Sequence, residues 1–263
     1  MTHRPEVLWL NGSPSLQCFD RPLLSALAAQ ATVMQWQYCQ GPDEASSLPN
    51  AVALLHEYLQ QTDHPLHLMG HGISGVIGLM YARCHPEKVR SLTLLGVAEQ
   101  PAMTWQTHYY VQRHLMSCSR YQVLAFMVRS LFGSNPPYDV KNLIRALDRD
   151  LAEAPCLHSL FRVVDLPKGG ILAPLMVCGS QTDSVVHPPA LLEWRNWTKP
   201  GDRLWECPTG RHFFHYFHPQ QVADQVLQFW QSDVFEPELM MMQKAESEAS
   251  ISSLAVALER KAI

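Results

Sequence analysis

The sequence predicts an α/β fold: a short, mainly parallel sheet of about six strands flanked by helices, with a helical cap insertion and a C-terminal tail. Three observations carry this. Short apolar runs alternate with amphipathic helical stretches through residues 7–97. A strand, a turn with closely spaced glycines and a helix follow one another at 66–84. The strand–helix rhythm then stops for about seventy residues of helical pattern before the sheet resumes.

Residues 7–10 form an apolar run closed by Asn11-Gly12-Ser13-Pro14, hence a buried strand and a turn. Residues 22–30 carry Leu23, Leu24, Leu27 and Ala28 on one helical face. A second strand spans 32–38, and a polar loop with Gly and Pro spans 40–44. Val52, Leu55, Tyr58 and Leu59 mark a helix over 47–61. A third strand, 66–69, leads into a helix at 73–84, and a fourth strand covers 91–97. Strands that alternate with helices imply parallel pairing through right-handed crossovers.

The stretch 99–168 holds helical segments at 109–116, 121–131 and 140–153 and is read as a cap. The core is assigned to 1–98 and 169–232, with a strand at 175–178, a helix at 188–197, a strand at 203–206 and a closing helix at 219–231. A tail, 233–263, contains Leu239-Met240-Met241-Met242 and a helical pattern over 245–260. Its apolar face, Ile251, Leu254, Ala255 and Leu258, suits docking on the protein's own body or on a partner.

Composition narrows the function. A net charge of −4 without a long basic run argues against nucleic acid, whose phosphates require clustered Lys and Arg. Seven cysteines, an odd number without CxxC spacing, suggest neither a disulfide framework nor a zinc site. They point to a reducing, cytoplasmic setting. No signal-peptide layout opens the chain, and no apolar stretch is long enough for a transmembrane segment. No cofactor or metal is expected.

The most informative segment is Gly70-His71-Gly72-Ile73-Ser74-Gly75 after the third strand. It resembles the nucleophile elbow of the α/β-hydrolase superfamily, Gly-x-Ser-x-Gly on a sharp strand-to-helix turn. Gly70 and His71 fit, but Gly72 stands at the nucleophile and Ser74 at the motif's second glycine. The helix-to-strand connection from Tyr81 to Leu92 is also similar to this family. Leu8-Trp9-Leu10-Asn11-Gly12-Ser13-Pro14 looks like its oxyanion loop, with Asn11 in place of the usual His. The segment from Pro174 to Asp183 is similar to the loop that delivers the acid, and Thr209-Gly210-Arg211-His212-Phe213 to the histidine loop.

The resemblance, over roughly residues 6–232, implies Asp183 and His212 as a retained pair and Gly72 as a degenerate nucleophile position. It also implies the backbone N–H groups of Ser13 and Ile73 as the oxyanion hole. Covalent acyl transfer requires a side-chain oxygen or sulfur beside the histidine, and glycine offers neither.

The expected function is therefore a non-hydrolytic protein of this fold that binds a small apolar ligand or a protein partner. One alternative is an enzyme that uses His212–Asp183 as a general base without covalent catalysis. Another is a hydrolase with a displaced nucleophile such as Ser13. His71 reads as positional. His215 and His218 follow His212 at three-residue steps without a carboxylate or Cys to complete a metal set. His108, Tyr109, Tyr110 and His114 suit either a pocket lining or the core of the cap.

Overall fold

The computed structural model describes residues 6–39, 47–156 and 165–232. The chain divides into two compact units, Met1–Trp230 and Gln231–Ile263, and the fold below is that of the first. The tail helix expected at 245–260 and the polar loop at 40–44 fall outside the described residues.

Six strands form one sheet: β1 (Glu6–Asn11), β2 (Thr32–Gln37), β3 (Leu66–His71), β4 (Val89–Leu95), β5 (Leu175–Ser180) and β6 (Arg203–Cys207). Their order is β2-β1-β3-β4-β5-β6, and every neighbouring pair is parallel. The helices outside the β4–β5 interval are α1 (Arg21–Ala28), α2 (Leu48–Leu59), α3 (Ile73–Cys84), α7 (Pro188–Leu192), α8 (Phe214–Phe217) and α9 (Pro219–Gln231). Between β4 and β5 lie α4 (Trp105–Leu115), α5 (Arg120–Phe132) and α6 (Val140–Glu153).

The sheet is apolar on both faces because helices cover both. Along β1, Val7 and Trp9 join α1 and α9 in one cluster with Leu23, Leu27, Val222 and Val226. Leu8 and Leu10 face the other way, into a larger cluster with α2, α3 and the inserted helices. This two-residue alternation is the strand period.

Several ends differ from the sequence expectation, each for a local reason. β3 runs on through His71, and the ladder toward β4 continues with the Gly72 N–H donating to the Leu95 carbonyl at 2.9 Å. α4 starts at Trp105, because the Thr104 hydroxyl accepts from the Thr107 N–H in a capping box. Ser119 starts α5 in the same way, through a side-chain acceptor, whereas α6 has the expected bounds, with Asp139 as its cap. The expected helix at 188–197 divides into α7 and a 3-10 turn, Glu193–Asn196. A 3-10 helix at Pro14–Phe19 was not expected, nor was α8.

Candidate functional site

Strand order reverses between β1 and β3: β2 lies on one side of β1, and the later strands lie beyond β3. Such a switch point leaves a crevice at the carboxyl ends of the two strands. The loop Asn11-Gly12-Ser13 and the turn at Gly72 both emerge there.

Gly72 joins β3 to α3 at φ +52° and ψ −124°, which side chains other than glycine's rarely adopt. A Cβ built on it meets nothing nearer than His212 Nε2, at 3.9 Å. The turn is tight because strand and helix nearly touch. A Cβ on Gly70 would lie 2.7 Å from the Ser74 backbone carbon, and one on Gly75 would lie 2.9 Å from the Gly70 oxygen. Glycine is required at both for this approach. Ser74 is buried, and its Oγ accepts from the Gly12 N–H at 2.8 Å, which ties the β1 loop to α3.

His212 and Asp183 come from loops after β6 and β5 and meet across 29 residues. His212 Nδ1–H donates to Asp183 Oδ2 at 2.9 Å, and both side chains are fully buried. Asp183 Oδ1 accepts from the Val185 N–H at 2.7 Å, so both carboxylate oxygens are engaged. Arg211 positions the histidine from a left-handed backbone, φ +51°, while its N–H donates to Thr182 Oγ1. His212 Nε2 is buried and has no hydrogen-bond partner among the described residues.

The space between Nε2 and Gly72 is a cavity of about 20 Å3, walled by Leu16, Ile73, Trp105 and Phe213. That is room for roughly one water molecule. Ile73 opens α3, where the first N–H groups of a helix have no intrahelical partner. The Ser13 N–H is engaged: it donates to Asn11 Oδ1 at 3.1 Å.

The structure thus brings Gly72, Ile73, Asp183, His212 and the Ser13 loop together. His71 has a holding role: its Nε2–H donates to the His212 carbonyl at 2.9 Å. Burial and then the neighbouring His215 and His212 rings hold it well below histidine's ordinary range. His215 bonds Asp20 and His218 bonds Thr209, so the three-residue spacing does not converge on one point. Tyr109 is a core side chain and His114 is exposed; neither lines the cavity.

Sequence reasoning missed two features. The first is a second His–Asp pair beside the cavity: His215 Nε2 lies 3.1 Å from Asp20 Oδ1, and Trp9 Nε1–H donates to Asp20 Oδ2. The partners are 195 residues apart, so no local pattern announces them. The second is Asp150, fully buried in α6 and reached by Trp105 Nε1–H, Gln106 Nε2–H and the Ser15 hydroxyl. Here a signal existed: Asp150 continues the apolar stripe Leu143, Leu147 at helical spacing.

Burial pushes the Asp150 carboxyl up to about 7, against the hydrogen bonds that favour its charge. The folded state therefore keeps a proton that the unfolded chain has released, and stability falls as pH rises from near 4 to the folded value. Thermal melts of Asp150→Asn and the natural chain are expected to converge at low pH. The natural chain should fall behind as pH is raised to 8. Parallel curves would refute the assignment.

A family model described as the alpha/beta hydrolase family matches residues 7–225, and the chain belongs to that family. An uncharacterized protein of Nostoc sp. is 52% identical over 232 residues, 88% of this chain and 93% of its own. An uncharacterized protein of Synechocystis sp. is 40% identical over 249 residues, 95% of this chain and 96% of its own. Solved structures of similar fold include naproxen esterase from Bacillus subtilis, with a TM-score of 0.63 and 11% identity over 88% of this chain and 85% of that one. Carboxylesterase CesB from Bacillus subtilis gives 0.61 and 14% over the same shares. At these identities the likeness is one of fold. Among the described residues no helix is long and apolar enough to cross a membrane.

Proposed function

We propose that the protein is a non-hydrolytic member of its family, with Gly72 at the nucleophile position and residues 99–168 as a cap over a closed site. One observation carries the reading: the buried His212 Nε2 faces Gly72, which has no side chain to give it a nucleophile. Two others support it. The Ser13 N–H, one of the two expected oxyanion donors, is spent on Asn11. The cavity holds roughly one water, so an organic acyl group has no place beside His212 in this conformation. The same closure favours a surface partner over a small apolar ligand at the elbow. Seven free thiols support a reducing compartment.

The natural protein is expected to give no adduct with a fluorophosphonate probe and no burst with activated esters. A labelled residue found by peptide mapping would overturn the reading. Loss of that label in Ser13→Ala would assign a displaced nucleophile.

A second reading rests on the oriented pair itself. Asp183 fixes the His212 ring with Nε2 toward the cavity, the arrangement a general base requires. It calls for an opened cap, and its substrate would have to carry an acidic proton.

A further inference from the structure

We propose that the hairpin formed by α4 and α5, with the adjoining α5–α6 groove, docks on the surface of a bilayer that carries anionic lipids. This does not depend on whether the protein hydrolyses anything. The first observation is charge. No acidic residue occurs between Glu99 and Asp139, in a chain whose net charge is −4, and that stretch carries Arg113, Arg120 and Arg129. A segment without carboxylates meets a negative surface without repulsion, although the molecule as a whole is anionic.

The second observation is apolar exposure. Of the eleven large hydrophobic side chains exposed among the described residues, seven fall between 111 and 140. They peak at the α4–α5 turn, where Leu115 is 69% exposed and Tyr121 53%, with Met116 between them. The turn is held in shape. The Arg113 guanidinium donates to the Cys118 carbonyl at 2.7 Å, and a Ser119–Gln122 capping box starts α5. A preformed tip with aliphatic and tyrosine side chains beside arginines suits the boundary between headgroups and acyl chains. A bilayer accepts such side chains wherever they project. A protein partner would have to supply a matched pocket for each.

The third observation is a groove of about 540 Å3 beside the tip, between α5 and α6. Its floor is apolar, Leu124 and Ile144, and its rim carries Arg120, Lys141 and Arg145. Arg120 is paired with Asp148, the one acidic residue of the rim. Lys141 and Arg145 form no ion pair among the described residues, which leaves two cations for a headgroup phosphate.

The test is flotation of the full chain with vesicles of phosphatidylcholine alone and with an equal part of phosphatidylglycerol. Binding is expected on the anionic vesicles only and should be lost at high salt. Leu115→Glu with Met116→Glu should weaken it about tenfold or more, and Lys141→Gln with Arg145→Gln should weaken it separately. All four positions are exposed, so unchanged melting curves confirm that the variants fold. Absence of flotation overturns the proposal, as does equal flotation on neutral vesicles. Binding that survives both pairs of changes places the contact elsewhere and overturns it too. A dimer in solution that Leu115→Glu dissociates would give the face to a second copy instead.

Discussion

Gly72→Ser is expected to acquire covalent labelling by a small fluorophosphonate, slowly, where the natural protein acquires none. The side chain has room, because the nearest atom to a Cβ at this position is His212 Nε2, at 3.9 Å. The hydroxyl extends one bond further, within hydrogen-bond reach of a histidine that Asp183 already orients. The backbone resists: a residue with a Cβ at φ +52° costs about 1–3 kcal/mol, so the variant should melt several degrees lower. Slow reaction is expected because a cavity with room for roughly one water must open to admit the probe, and because one of the two backbone N–H groups proposed as oxyanion donors is engaged. Asn11 Oδ1 holds the Ser13 N–H. Asn11→Ala releases that donor, and a single oxyanion donor is worth roughly 10²–10³ in rate. The combined variant should therefore label at least about tenfold faster than Gly72→Ser alone. If both variants fold and neither is labelled, the reading of Gly72 as a vacated nucleophile position in a site that opens to a probe is overturned.

The legible part of this molecule was the part written in local patterns. Alternation along β1 and the stripe of α6 follow from which side chains face the core, and that is decided within a few residues. Gly70 and Gly75 were legible because a close strand–helix contact admits no Cβ at either. The pairing of His212 with Asp183 was read only through the order of family-like loops, since spacing alone says nothing about contact over 29 residues. The Asn11–Ser13 bond was within reach of the sequence. An Asn whose side chain accepts from the N–H two residues on is a familiar turn, and Asn11-Gly12-Ser13 spells it. Loop order read as an oxyanion hole concealed that simpler local reading. The narrowness of the cavity beside Gly72 could not be read, because it depends on Leu16, Trp105 and Phe213, which line it from three separate segments.

His212→Ala is expected to cost about 3–5 kcal/mol of stability, read as a fall in melting temperature of roughly ten degrees. The loss comes less from a missing contact than from what remains. Asp183 is 3% exposed, and one of its carboxylate oxygens would keep only the Val185 N–H while the other lost its partner. Replacing the two together, Asp183→Leu with His212→Leu, removes the buried charge as well as its partner, and such exchanges are often neutral or stabilising. The double variant is therefore expected to recover most of the loss, with a large coupling energy in the double-mutant cycle. That outcome bears on function. A pair that an apolar exchange replaces without cost is not what holds these loops together, and its preorganised Nε2 then speaks for proton transfer, the second reading above. A double variant as weak as the single one would make the pair a structural bond that joins the β5 and β6 loops, and the general-base reading would lose its support.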